Sequence, residues 1–275
     1  MSFAARYEKR RTAFEKELTA FLPKLQYPSP LGEAVRYALT SGGKRLRPIL
    51  LLESAQLFTP ENEQAISLAA IAVESLHTYS LIHDDLPCMD NDDFRRGKQT
   101  CHKVFGEANA LLAGDALLNL AYECMFESSL LGENGKAAGL LLAKAASGSG
   151  LIGGQVADLQ PNADKESVAY IYRNKTGALI TAALEMGAVL GGATSAERQK
   201  IVNFGQIFGF CFQLQDDLLD KETDADKKTY LNLYGEEETK RILKEKTSEA
   251  IACIADMHGT EFLIELTENF MERTE

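Results

Sequence analysis

The chain has 275 residues, of which 45% are hydrophobic and 25% charged, with a formal net charge of −11. That apolar share supports a packed core and excludes global disorder. The acidic balance argues against nucleic acid or an anionic membrane surface as the main partner, so an anionic small-molecule substrate would need local basic groups or bound cations.

The length suits one large domain or two small ones. The stretch 1–11 is charged and lacks the apolar centre of a signal peptide. No uninterrupted run of about 18 apolar residues occurs, so no membrane span is expected. The five cysteines, Cys88, Cys101, Cys124, Cys211 and Cys253, are scattered and form no Cys-x-x-Cys pair. They read as reduced thiols, and a cytoplasmic location is expected.

In chain order, breaks fall at 27–30, 40–43, 59–63, 88–99, 132–135, 160–164 and 191–195, with segments of ordinary helix length between them. All seven prolines lie in the first 161 residues, so the remainder can form long uninterrupted helices. Over 64–86, Ile66, Ala69, Ala70, Val73, Leu76 and Ser80 recur at three- and four-residue steps, a helical face. Over 197–219, Ile201, Phe204, Phe208, Cys211 and Phe212 make a second such stripe. Sustained period-two alternation is missing, so no meaningful sheet is expected. With no repeat, low-complexity tract or linker, the expectation is a single all-α domain over 1–275.

Two acidic clusters close the two apolar helices. Asp84-Asp85-Leu86-Pro87-Cys88-Met89-Asp90 ends the first. A helix C-terminus is the unfavourable end for negative charge, so crowded carboxylates there call for a compensating cation. Asp216-Asp217-Leu218-Leu219-Asp220 ends the second, with Asp216 and Asp220 four apart on one face and Gln213 on the same stripe. Two such clusters suggest two walls of one cavity. Oxygen-only donors favour a hard cation, and magnesium typically takes one or two carboxylates and completes its shell with water and substrate phosphate.

Basic groups accompany them. Gly42-Gly43-Lys44-Arg45-Leu46-Arg47-Pro48 leads into a helix whose first turn suits Pro48. Lys44, Arg47 and the backbone donors there make a reasonable diphosphate site, although Gly-Gly-Lys alone reads as a solvated turn. Arg95-Arg96-Gly97-Lys98 follows the first cluster and could equally balance Asp92 and Asp93. His77 shares a helical face with Asp84, roughly 10 Å back along the axis; a lone histidine there is more often a core residue. Lys175-Thr176 lies in an apolar helical stretch, where the lysine either snorkels or points into a polar cavity.

Taken together, these motifs resemble the trans-prenyl diphosphate synthase family, most closely its bacterial-type farnesyl synthases. The resemblance rests on 42–48, on the first aspartate-rich motif with Arg95-Arg96-Gly97, and on Ala113-Gly114-Asp115-Ala116-Leu117-Leu118. It continues in Gly153-Gly154-Gln155-Val156-Ala157-Asp158, Lys175-Thr176 and Phe212-Gln213-Leu214-Gln215-Asp216-Asp217, six motifs in the family's order. It implies a helical bundle around a deep central cavity and a homodimer. It further implies that Asp84, Asp85, Asp90, Asp216, Asp217 and Asp220 hold three magnesium ions around an allylic diphosphate. By the same resemblance Arg95, Lys175 and Gln213 bind that diphosphate or its surroundings. Lys44, Arg47, His77 and Arg96 cradle isopentenyl diphosphate, and Lys175, Thr176 and Gln213 line the allylic cation.

The implied reaction joins isopentenyl diphosphate head to tail with dimethylallyl and then geranyl diphosphate. Tyr79, five residues before Asp84 and about 7.5 Å down the helix, is expected with Ser80 to floor the pocket and stop growth at the fifteen-carbon farnesyl product. A geranylgeranyl synthase is the nearest rival. A terpene cyclase would not need the second basic site, and a non-catalytic regulatory subunit would be expected to lack one aspartate motif. The chain departs from the family after Asp220: a loop is shortened and its capping lysine is in doubt, with Lys221, Lys227 and Lys228 as the substitutes at hand.

Overall fold

The computed structural model describes residues 1–160, 164–220 and 229–273. Helices dominate it, and the residues fall into two compact units: Met1–Ile49 with Glu63–Gly139, and Leu50–Asn62 with Leu140–Glu275.

The first unit opens with α1 (Phe3–Phe21), capped by the Ser2 hydroxyl, and a 3₁₀ turn at Leu22–Lys24 that carries Pro23. Helix α2 (Leu31–Leu39) begins after Pro30 and buries one face through Ala34, Val35, Ala38 and Leu39. Helix α3 (Leu46–Gln56) starts in this unit and continues into the second. Helix α4 (Glu63–Asp84) is apolar on nearly every face, with Ile66, Leu68, Ala69, Ile71, Val73 and Leu76 all buried. It packs along α6 (Glu107–Ser129) through that helix's Ala110, Ala113, Leu117, Leu120 and Ala121. Among the described residues α4 is the one helix long and apolar enough to cross a membrane, but 83% of its most apolar stretch is buried inside the protein. A helix hydrophobic all round belongs either in a lipid bilayer or in a core, and here the burial assigns it to the core.

Between these two helices lie a hairpin and the short helix α5 (Cys101–Phe105). The hairpin pairs β1 (Phe94–Arg95) with β2 (Lys98–Gln99), antiparallel, Phe94 opposite Gln99 and Arg95 opposite Lys98. Its turn residues Arg96 and Gly97 both have positive φ, 54° and 74°, as a two-residue primed turn requires. It is the only sheet among the described residues, and at two residues per strand it leaves the expectation of no meaningful sheet standing. Strands of two residues are too short to show an alternation.

The second unit takes α7 (Glu133–Ala146) from the first and adds α8 (Leu151–Asp158) and α9 (Lys165–Ile171). A π-helical turn at Tyr172–Gly177 runs into α10 (Ala178–Leu190). Thr194 and Glu197 form a capping box that starts α11 (Ser195–Leu219). Next among the described residues come α12 (Tyr230–Tyr234), α13 (Glu236–Ile254) and α14 (Glu261–Met271). Helix α11 is central: α10, α13 and α14 pack on it, with Phe204, Phe208, Cys211 and Leu214 fully enclosed. Gly209 of α11 faces Gly177, where an added Cβ would lie 2.9 Å from the Gly177 Cα, so the π turn and α11 touch backbone to backbone.

Candidate active site

In the first unit, α4 ends at Asp84 and the chain turns back, so that the Asp90 amide donates to the Asp84 carbonyl at 2.8 Å. Pro87 and Cys88 lie on the exposed part of this turn. Asp84 is half-buried and Asp90 exposed, so both carboxylates are reachable. Asp85 is different. Its side chain is only 5% exposed, and Arg95 grips it from Nε at 2.6 Å and from Nη2 at 2.5 Å, while also reaching Asp92 at 3.1 Å. Burial pushes the Asp85 carboxyl up and the Arg95 bond opposes that rise. Arg95 is thereby engaged by the first acidic cluster.

Arg96, at the hairpin's turn, donates to the Gly42 carbonyl and lies flat over Gly43, where any Cβ would overlap its guanidinium. Gly43 itself has φ 114°. A side chain there would be excluded twice, by backbone and by space. The loop is gripped again through Arg45, which is 3% exposed with φ 52°. Its guanidinium donates to Glu74 on α4 at 2.6 Å, to the Leu39 carbonyl ending α2 at 2.6 Å, and to Glu15 on α1 at 3.4 Å. A buried charge stripped of its partner costs about 3–5 kcal/mol, so the pair holds Arg45 firmly in its left-handed conformation. Tyr7 of α1 completes the frame, its hydroxyl donating to the Lys44 carbonyl at 2.6 Å.

That frame sets Lys44 on the surface and Arg47 and His77 beneath it. Arg47 Nη1 donates to His77 Nε2 at 3.1 Å. Burial, then the charges of Arg47, Arg96, Arg45 and Arg95, holds the His77 pKa well below the ordinary histidine value. His77 is therefore neutral, and because arginine only donates, its Nε2 is the acceptor. The result is a compact basic patch that an anion would complete. On the same helix Ser80 donates to the His77 carbonyl at 2.9 Å, and Tyr79 is buried with its ring edge-on to His83.

The second unit gathers three of the sequence motifs. Gly154 of α8 lies against the backbone of Lys175, where a Cβ would collide with the Lys175 nitrogen. Lys175 Nζ pairs with Asp158 at 2.6 Å. Thr176 donates to the Gln213 side-chain oxygen at 2.8 Å, and Gln213 in turn reaches Asp217 at 3.5 Å. The π turn accounts for this geometry: an inserted residue turns Lys175 and Thr176 away from the regular helical course, and such bulges recur at functional sites. Gln155, 8% exposed, has both amide atoms buried with no protein partner.

Asp217 repeats the pattern of Asp85. It is 3% exposed and accepts from the Tyr172 hydroxyl and from the Tyr230 amide at 3.2 Å. Burial raises its pKa to about 7, the bonds from Tyr172, Gln213 and Tyr230 notwithstanding. Asp216 stays partly exposed and pairs with Arg273, whose guanidinium stacks 4.8 Å from the Phe212 ring centre. Asp220 caps α11 in the open. Lys221, Lys227 and Lys228 lie outside the described residues.

Among the described residues no three metal-ligating side chains are gathered at one point. The donor chemistry nonetheless suits magnesium: Asp84, Asp90, Asp216 and Asp220 keep accessible surface and offer oxygen only, the donor set a hard cation prefers. Asp85 and Asp217 are instead buried against protein donors, and Asp216, though accessible, is itself paired with Arg273. Arg45, Glu74, Tyr172 and Arg273 were not marked by the sequence reading; Arg45 sits inside a quoted motif, and Asp158 likewise, whereas Arg273 gave no local signal.

Comparison with known proteins fixes the family. The polyprenyl synthetase model matches residues 28–234. The chain belongs to the polyprenyl synthetase family. A chloroplastic geranylgeranyl pyrophosphate synthase of Capsicum annuum is 42% identical over 242 residues, which is 81% of this chain and 65% of the pepper protein. The chain thus spans less than two thirds of that relative. Geranylgeranyl pyrophosphate synthase 11 of Arabidopsis thaliana is 44% identical, across 82% of this chain and 69% of its own. Among solved structures, an FPP/GFPP synthase from Zymomonas mobilis superposes with a TM-score of 0.90 at 34% identity, covering 97% of this chain and 99% of that one. A geranyltransferase from Legionella pneumophila gives 0.91, also at 34%, over 99% and 98%. The all-α polyprenyl synthetase fold expected from the sequence is therefore the observed one.

Proposed function

We propose that this polyprenyl synthetase is a magnesium-dependent short-chain trans-prenyltransferase, one domain over 1–275, that condenses isopentenyl diphosphate with dimethylallyl and geranyl diphosphate and releases farnesyl diphosphate. The observation that carries the reading is a second cluster of basic groups: Arg47 is bonded to His77 and the Arg96 charge acts on the same ring. His77 lies about 10 Å along α4 from Asp84, at 1.5 Å per residue. Two separate diphosphate seats suit a condensation of two diphosphates, and a cyclase has use for one.

In this reading Lys44, Arg47, His77 and Arg96 would seat isopentenyl diphosphate, with His77 accepting from Arg47 and so holding that side chain in place. Asp84, Asp90, Asp216 and Asp220 would hold the three magnesium ions. Asp85 and Asp217 would join them only by giving up the bonds from Arg95, Tyr172 and Tyr230. Magnesium, when bound, supplies the positive charge that lets the allylic C–O bond ionise. The Thr176 hydroxyl and the Gln213 side-chain oxygen would present negative dipole to the allylic cation, while Lys175, steadied by Asp158, and Arg95 would face the departing diphosphate. The apolar side chains around the reacting carbons would exclude water. The isopentenyl double bond attacks the cation, and the departing diphosphate takes the proton that is then lost.

Burial of Tyr79 five residues before Asp84 supports a fifteen-carbon limit. The names of the plant relatives favour a second reading, a twenty-carbon geranylgeranyl product. Exposed Leu111, Leu112 and Phe126 on α6, with Leu130 just after it, support a homodimer through that face. All five cysteines are free thiols, in keeping with a reducing, cytoplasmic setting.

The test is incubation with labelled isopentenyl diphosphate and either allylic primer, with magnesium or with chelator. A magnesium-dependent fifteen-carbon product supports the proposal, and a twenty-carbon product the second reading. Absence of any condensation defeats both and leaves a cyclase or a regulatory subunit.

A further inference from the structure

The motif Ala113-Gly114-Asp115 on α6 has no part in the chemistry above, yet Gly114 sits in the interior of a long helix, where glycine is unfavourable relative to alanine by about 1 kcal/mol. A glycine at such a position points to a packing reason. That reason is His83. A Cβ at Gly114 would fall inside the His83 imidazole, so the ring lies directly on the α6 backbone. There its Nε2 donates to the Leu111 carbonyl at 3.0 Å and stands 3.9 Å from an Asp115 carboxylate oxygen. The histidine is pinned from below by the missing side chain and from the side by a carbonyl.

Four residues back on α4, Tyr79 occupies the same face as His83. The two rings meet edge to face, centroids 4.9 Å apart and planes at 75°, the arrangement aromatic pairs favour. Tyr79 is 8% exposed and His83 retains 22% of its side-chain surface. The tyrosine therefore has little freedom to turn toward the α6 side while the imidazole is in place. Removing the imidazole would open that volume next to the tyrosine.

We propose that His83, seated on Gly114, is a positioning residue that holds Tyr79 in place and so sets how long a prenyl chain the protein can make. This rests on the reading of Tyr79 as the floor of the tail pocket. His83 touches no reacting atom; it acts only through the tyrosine. The Ala-Gly-Asp motif then serves specificity: the glycine makes room for the buttress and the neighbouring turn supplies its hydrogen-bond acceptor.

The experiment is a double-mutant cycle read out as product length. Wild type, Tyr79→Ala, His83→Ala and the double variant are assayed with isopentenyl and geranyl diphosphates, and the ratio of twenty- to fifteen-carbon product is measured beside melting temperature and KM for isopentenyl diphosphate. Tyr79→Ala and His83→Ala are each expected to raise the ratio, by about tenfold, with KM for isopentenyl diphosphate unchanged. In the Tyr79→Ala background, His83→Ala should add nothing, because its route is already gone. A His83→Ala ratio equal to wild type while Tyr79→Ala shifts it overturns the proposal, as does an equal shift in both backgrounds. No shift with Tyr79→Ala sinks the floor reading itself and the buttress with it. If His83→Ala does not fold, His83→Gln can still reach the Leu111 carbonyl but lacks a ring, and the same rise is expected of it.

Discussion

The ends of α4 and α11 look alike as strings of letters, yet their second aspartates are secured by different chemistry. Asp85 is buried against a cation, gripped through two nitrogens of Arg95. Asp217 is buried against a phenol and a backbone amide, with no cation paired to it among the described residues, and its pKa climbs to about 7. In both loops the neighbouring aspartate remains accessible. Adjacent residues on a helix point about 100° apart, so one of each pair faces outward and its neighbour turns into the protein. A doubled acidic motif can thus leave one carboxylate accessible and use the other as an anchor, and the anchor's partner decides how it responds to pH.

The sharpest way to test the split is to remove an outward-facing acid. Asp84→Ala is expected to lower kcat about a thousandfold, the scale of losing one group that stabilises charge in a transition state, with the melting temperature of the metal-free protein nearly unchanged. Steady-state kinetics beside differential scanning calorimetry checks both halves, and a residual rate near wild type would count against the outward acid as a ligand.

Breaking the first anchor should be read in stability instead. Arg95→Met leaves Asp85 buried without its cation; since Arg95 is about a third exposed, the loss is reduced by solvent to about 2 kcal/mol. Urea unfolding of the metal-free protein measures it, and adding Asp85→Asn should recover much of the loss.

The second anchor predicts a pH signature. A carboxyl whose folded pKa lies above its unfolded value binds its proton more tightly when folded. The resulting stability is fully present below about pH 4 and is lost as pH rises toward 7. In chelator, unfolding free energy should therefore fall by about 3 kcal/mol more between pH 4.5 and 7.5 in wild type than in Asp217→Asn, as the linkage relation requires. Parallel curves for the two proteins would show that Asp217 titrates normally. The smallest effect is expected at the rim of the first anchor, where Asp92→Asn removes only the exposed arm of Arg95 and should change stability by less than about 0.5 kcal/mol.

Much of this architecture was legible in advance, for identifiable reasons. Helices α4 and α11 show their apolar residues at three- and four-residue steps, and Pro30 and Pro48 stand at the helix starts where their missing N–H does no harm. The basic loop and both acidic clusters were visible as strings. Three features were hidden. The hairpin carrying Arg95 and Arg96 has strands of two residues each, so only Gly97 hinted at it. The π turn under Lys175 differs from an α-helix by a hydrogen-bond shift that periodicity does not register. The Arg273–Asp216 pair joins residues 57 apart, and no local pattern encodes such a contact. Whether an aspartate is anchor or ligand was hidden as well, because the letters name the carboxylate and not the donor that meets it.

The Arg45 clamp carries a thermodynamic consequence for whatever anion settles beside it. By fastening α1, the end of α2 and α4 to one loop, its guanidinium makes that receptor rigid before any guest arrives. The ordering entropy is surrendered when the chain folds, so association forfeits little more of it. Binding at that loop should accordingly be fast, governed by encounter and dehydration, with a heat signature free of a large disorder-to-order contribution.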